Sequence, residues 1–134
     1  MNDLIKDVCA AVVWDILSQN PSAQLIDVRT PEEWNNVGIP DISVLAKKPM
    51  LISWLKDLNG SMNENFIRDL ESHVPNKKDM LVFICRSGVR SANAAKCAHS
   101  NGYEVCINVQ DGFEGKNGVG GWKNSNLAHT VYNV

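Results

Sequence analysis

Most of the chemistry this sequence can offer lies between Cys85 and Ser91. Cys85 follows the apolar run Met80-Leu-Val-Phe-Ile84 and precedes Arg86, Ser87, Gly88, Val89, Arg90 and Ser91, after which small side chains continue in helical order. A cysteine at the carboxyl end of a buried strand, before a short polar loop and a helix start, sits where successive backbone amides can curl around its sulfur. Gly88 gives that loop a backbone angle that a side chain would penalise. A helix expected to begin near Ser91 adds unpaired amides and its positive end, and Arg86 and Arg90 reinforce the same sign. Such surroundings favour a thiolate, the nucleophilic form of cysteine, or a bound oxyanion. Cys85 is therefore the candidate nucleophile and residues 86–91 the candidate anion-binding loop.

The other cysteines offer less. Cys9, Cys97 and Cys106 complete an even set of four, which allows two disulfides in three pairings without choosing among them. No pair has Cys-x-x-Cys spacing, and His73, His99 and His129 join no cysteine in a zinc pattern, so neither a metal nor another cofactor is expected. Cys97 reads as a small packing residue of the helix after Cys85, and Cys9 and Cys106 as core. With no export signal, reduced thiols and a cytoplasmic location are the expectation.

These residues need a scaffold, and the composition allows one. The 134 residues suit one domain, 1–134, with 44% hydrophobic residues and no linker or repeat. A chain of this length buries roughly two-thirds of its unfolded surface without metal or disulfide support. Thirteen Lys and Arg against 15 Asp and Glu leave a net charge of -2, which gives no electrostatic case for a nucleic-acid partner. No run of apolar residues is long enough for a membrane span.

Periodicity places the elements. Asp7–Leu17 reads as a helix with Val8, Ala11, Val12, Ile16 and Trp14 on its apolar face, and Ala23–Arg29 as a strand. Thr30 can cap a following helix that has Pro31 in its first turn and acids at its positive end. Ile42–Leu45 suggests a short strand, and Met50–Leu55 a strand or buried extended segment. A helix follows over Asn63–His73, then the strand Met80–Ile84, a helix over Ser91–Ser100, a strand over Tyr103–Val109, and a short helix near Trp122. Alternating strands and helices imply an α/β fold with a mainly parallel sheet.

Two separated motifs, Leu25-Ile-Asp-Val-Arg-Thr-Pro-Glu-Glu-Trp34 and Cys85-Arg-Ser-Gly-Val-Arg-Ser91, resemble those of the single-domain rhodanese-like sulfurtransferases, with a weaker match at Asn108–Phe113 and Gly121-Trp122. The resemblance covers nearly the whole chain. It implies a three-layer fold in which helices cover both faces of a mainly parallel central sheet. It also implies supporting roles for Asp27, Arg29 and Glu33, with Asp27 paired to Arg90 and Arg29 to Glu33. One departure follows the first motif: where the family commonly has Gly-His-Ile-Pro-Gly-Ala, this chain has Val37-Gly-Ile-Pro-Asp-Ile42 and lacks the histidine. The 37–59 segment also looks long, which would reshape the pocket rim, form an interface or extend the fold.

The implied reaction is transfer of a sulfane sulfur from thiosulfate or a related small anionic donor, through a Cys85 persulfide, to a thiol, cyanide or protein acceptor. Arg86 is placed to orient the donor and Arg90 to support the loop. Two alternatives stand beside it. A nonenzymatic rhodanese-like binding or regulatory module would keep the fold without the transfer. A cysteine-dependent phosphatase would resemble Cys-x5-Arg, whereas four residues separate Cys85 from Arg90. The oligomeric state is left open.

Overall fold

The run Leu81–Ile84 forms β5, with all four side chains buried, and takes the middle of a five-stranded sheet. The computed structural model describes residues 5–57 and 59–132, with element bounds as follows. Strands β1 Ile5–Val8, β2 Gln24–Asp27, β3 Ile39–Pro40, β4 Met50–Leu51, β6 Cys106–Val109 and β7 His129–Thr130 accompany β5. Helices are α1 Ala10–Gln19, α2 Pro31–Val37, α3 Phe66–His73 and α4 Val89–Ser100, with 3-10 turns at Ser43–Leu45 and Lys123–Ser125. The sheet runs β1-β6-β5-β2-β4 with every pair parallel, and Ile26 lies opposite Phe83 and Leu81 opposite Cys106.

A parallel sheet must be covered on both faces because each strand projects apolar side chains to either side. Phe66 and Leu70 of α3 and Ala94, Ala95 and Ala98 of α4 fill one face. Ala10, Val13 and Leu17 of α1 fill the other with Phe113 and Trp122, and Val37 of α2 packs against them. The alanines of α4 let its axis come close to the sheet. The α/β three-layer architecture is the one expected, and it brings the carboxyl ends of the five parallel strands to one rim, where Asp27 and Cys85 emerge. None of the described helices is long and apolar enough to cross a membrane.

Several local expectations are corrected. Asp7 and Val8 belong to β1, an edge strand pairing with β6, and not to a helix. The helix starts at Ala10 because the Asp111 carboxylate accepts from the Ala10 amide, 2.9 Å away, which rotates Ala10, Val13 and Leu17 inward and leaves Ala11 and Val12 exposed. Ile42–Leu45 is no strand: Asp41 Oδ1 accepts from both the amide and the hydroxyl of Ser43, curling the chain into a turn. The 37–59 segment supplies β4, whose extension continues beside β2 through Ile52 and Trp54 amides donating to the Asp27 and Val28 carbonyls. Strand β7, pairing antiparallel with β3, has no clear signal in its two exposed residues.

Candidate active site

Cys85 ends β5 at the carboxyl rim and is only 1% exposed. The Gly88 amide donates to its Sγ at 3.1 Å, and the Ser91 Oγ lies 3.2 Å from the same sulfur. Among the described residues, the amides of Arg86, Ser87, Val89, Arg90 and Ser91 find no acceptor within the chain. Three of these belong to the first turn of α4, which starts at Val89, two residues before its expected start. Gly88 makes the earlier start possible. Its φ of +109° turns the chain left-handed straight into the helix, and a Cβ there would stand 2.2 Å from the Gln110 carbonyl oxygen. The outcome is a run of unpaired donors beside the sulfur, of which the Gly88 amide reaches it, with local positive potential at the helix end.

The loop is held from its far side as well. Phe113 and Glu114 amides donate to the Cys85 and Arg86 carbonyls at 2.8 and 2.9 Å, so the chain leaving β6 runs beside the cradle. Asn108, 3% exposed on β6, completes the inner surroundings. Its Nδ2 donates to the Gly88 carbonyl at 3.1 Å and to Asp7 Oδ1 at 3.0 Å, while Ser91 Oγ lies 2.5 Å from its Oδ1.

Asp27, Arg29, Glu33 and Arg90 do come together beside the loop, but with partners exchanged relative to expectation. Residues two apart on a strand share a face, so Arg29 folds back on Asp27: Nη2 to Oδ2 is 2.7 Å and Nε to Oδ1 is 3.0 Å, both side chains fully buried. Arg29 also donates to the Gly38 carbonyl at 2.8 Å and lies over the Phe113 ring, 4.2 Å from its centre. Glu33 instead receives Arg90, in a two-pronged contact of 2.7 and 2.8 Å that ties α2 to α4. The expected cap is present: Glu33 accepts from the Thr30 amide and donates its own amide to the Thr30 hydroxyl.

Burial alone would raise the Glu33 carboxyl, but the Arg90 fork and the Thr30 amide outweigh it and hold it below the ordinary value of 4.5. A group lowered by folding adds stability above its unfolded titration, and that stability is lost as pH falls through the folded value. Glu33→Gln is therefore expected to lower the melting temperature at pH 7, and the gap to wild type should close below about pH 4. Thermal melts of both proteins between pH 7 and pH 3 check this; a gap that stays constant with pH contradicts it.

Gly38 accounts for the missing histidine. Its φ is +99°, and a Cβ there would stand 2.7 Å from the Thr130 carbonyl oxygen, so β7 occupies the space a side chain at this position needs. Of the remaining cysteines, Cys97 lies within α4 and Cys106 within β6, away from the loop. Burial pushes the Cys106 thiol up to about 12 and raises that of Cys97, while Cys9 is half-buried at the start of α1.

Two open clefts meet the loop. One of about 530 Å³ is lined by Arg86, Ser87 and the turn from Glu114 to Gly118; the other, about 280 Å³, lies between Arg86, Glu114 and α2. Arg86 is exposed and approaches Glu114 at 3.5 Å on the wall the clefts share. Apart from Val37, no described residue of the 37–59 segment lines either cleft. Sequence reasoning missed the part played by Asn108, Asp7 and Glu114. A lone asparagine within the otherwise apolar Cys106-Ile-Asn-Val109 was the available signal for the first.

The family model described as the STR4 middle domain matches residues 6–133. The chain is 39% identical over 123 residues to an uncharacterized RP600 homolog of Rickettsia rickettsii, covering 92% of this chain and 95% of that protein. It is 36% identical over 88 residues to the rhodanese domain-containing protein CG4456 of Drosophila melanogaster, covering 66% of this chain and 76% of that protein. The crystal structure of Rv0390 from M. tuberculosis superposes with a TM-score of 0.86 at 37% identity, over 93% of this chain and 96% of that one.

Proposed function

The chain belongs to the rhodanese-like domain family, and from that premise we propose that it is a sulfurtransferase carrying sulfane sulfur on Cys85. The observation behind this reading is the sulfur at the end of β5, met by the Gly88 amide and Ser91 hydroxyl, in a loop whose other amides have no acceptor among the described residues. The Cys85 thiolate attacks the outer sulfur of thiosulfate or a similar donor. The new S–S bond forms as the donor's S–S bond breaks, and sulfite leaves with the electron pair. The persulfide then carries its negative charge on the outer sulfur, where preorganised amides stabilise it without reorganising. A thiolate acceptor, a small thiol or a protein cysteine, attacks that outer sulfur, takes it, and returns Cys85 to a thiolate. Cyanide takes the sulfur in the same way.

The cleft beside Arg86 gives the donor its approach, and the exposed guanidinium draws an anion to the mouth. Arg90 holds α2 against the loop through Glu33 and leaves the cradle to backbone amides. That arrangement favours sulfane sulfur over a phosphoryl group, which a phosphatase would grip with the loop arginine. Reduced thiols and a cytoplasmic setting suit a carrier of this kind.

Intact mass after incubation with thiosulfate tests the proposal. One sulfur atom is expected to be gained, lost again on reduction, and mapped to Cys85. Cys106, held as a neutral buried thiol, should stay unmodified. A protein that takes up no sulfur yet binds partners unchanged is the nonenzymatic module instead.

A further inference from the structure

Asn108 is buried in the sheet with its side chain oriented by what surrounds it. Its amide nitrogen faces two groups that only accept, the Gly88 carbonyl and the Asp7 carboxylate, so the side-chain oxygen is the atom turned to Ser91. A carbonyl oxygen cannot donate. The short Ser91 contact therefore holds the hydroxyl hydrogen on the asparagine side while Cys85 is a neutral thiol, and the sulfur then gives its own hydrogen to Ser91 Oγ. Once the Cys85 proton passes to solvent, the thiolate has nothing to donate and takes the hydroxyl hydrogen, leaving Asn108 Oδ1 without a donor.

We propose that Asn108 is a positioning residue that sets the direction of the Ser91 hydroxyl and, through it, how readily Cys85 ionises. The reading rests on Cys85 as the reacting sulfur. Through the transfer cycle the hydroxyl follows the charge. It points to Sγ in the thiolate, returns to Asn108 when the persulfide carries its charge on the outer sulfur, and swings back when the acceptor removes that sulfur. Asp7, on the edge strand β1, keeps the Asn108 amide from turning over and offering its NH2 to Ser91. The charged groups packed around these contacts are Arg90 on α4, Asp27 and Arg29 from the end of β2, Glu33 on α2 and Asp7 on β1, with Arg86 and Glu114 at the mouth.

The test is the pH dependence of Cys85 alkylation by iodoacetamide, followed by mass, in wild type, Asn108→Leu, Ser91→Ala and the double variant. Leucine has similar branching and no hydrogen-bonding atom, so the hydroxyl is free for the sulfur at all times. The midpoint is expected to fall by about half to one pH unit, a roughly three- to tenfold gain in thiolate below it. Ser91→Ala should raise the midpoint, and adding Asn108→Leu to it should change nothing further. Where leucine prevents folding, Asn108→Ala replaces it: it too takes the acceptor away from Ser91, so the midpoint falls with Ser91 present and does not move in the Ser91→Ala background. Equal shifts in the two backgrounds, or no shift in a folded Asn108 variant, overturn the proposal. Alkylation does not require sulfur transfer, so the result stands whether or not thiosulfate loads the protein.

Discussion

A Cys85→Ser protein is expected to fold as the wild type does and to carry no sulfur from thiosulfate. The serine oxygen occupies nearly the same place, and both groups near Sγ, the Gly88 amide and the Ser91 hydroxyl, are as well matched to an oxygen as to a sulfur. The melting temperature should therefore move little, in line with about 1 kcal/mol or less for a near-isosteric change that keeps its partners. The chemistry is lost for two reasons. A hydroxyl does not ionise near neutral pH as a thiol does, so the nucleophile is absent. No S–S bond can form at an oxygen, so the carrier is absent too. Intact mass after thiosulfate treatment, beside a thermal melt, reads both halves. A reversible sulfur adduct persisting in Cys85→Ser would place the carrier elsewhere, with the half-buried Cys9 the first position to map.

Asp27→Asn should cost the most in stability, about 3 to 5 kcal/mol. Arg29 is fully buried, and among the described residues Asp27 is the one anion that pairs with it. Removing one partner of such a pair leaves an uncompensated charge out of water, which is far worse than never having built the pair. The Gly38 carbonyl and the Phe113 ring recover part of the loss, since both present negative density to the guanidinium. Nη1 of Arg29 has no partner among the described residues even with Asp27 in place, so they hold no spare acceptor to take over. Replacing both residues with apolar side chains of similar volume should cost much less than the two single changes together. Urea unfolding of the two single variants and the double variant measures this; a midpoint unchanged in Asp27→Asn would show that the pair does not hold this corner together. For a domain whose whole stability is of order 5 to 15 kcal/mol, the expected loss is a large share.

How much of this was legible beforehand depended on whether a feature is local. Cys85, its glycine and the arginines around it lie within seven residues, and strand, turn and helix signals there agree with one another. The run Leu81–Ile84 announced a strand buried on both faces, and Thr30-Pro-Glu-Glu33 announced its capped helix. Partners across the fold were another matter. Asp27 and Glu33 are both acids near arginines in sequence, and nothing in their spacing says that Arg29 turns back within its own strand while Arg90 crosses to α2. Asp7 and Val8 read as the start of a helix because the alternative, an edge strand, depends on a partner about a hundred residues away. The departure at Gly38 has its cause in β7, whose Thr130 carbonyl lies against that position from about ninety residues further along the chain. The three-residue turn at Ser43–Leu45 was decided by Asp41, a short polar side chain outweighing the β preference of Ile42 and Val44.

The position of β6 has a consequence for the making of the protein. It lies between β1 and β5, so its four residues must slot between neighbours contributed by two distant stretches of chain. Contacts of such long sequence separation form late because loop closure must be met before they repay it. At roughly 5 to 20 residues per second, a growing chain gains Cys85 a second or more before Val109 is joined. During that interval the cysteine is an ordinary thiol, with neither Asn108 beneath its serine nor the Gln110–Glu114 segment behind its loop. The surroundings of Cys85 are thus completed in one late step, when the sheet closes, so that no activated thiolate stands on the unfinished chain.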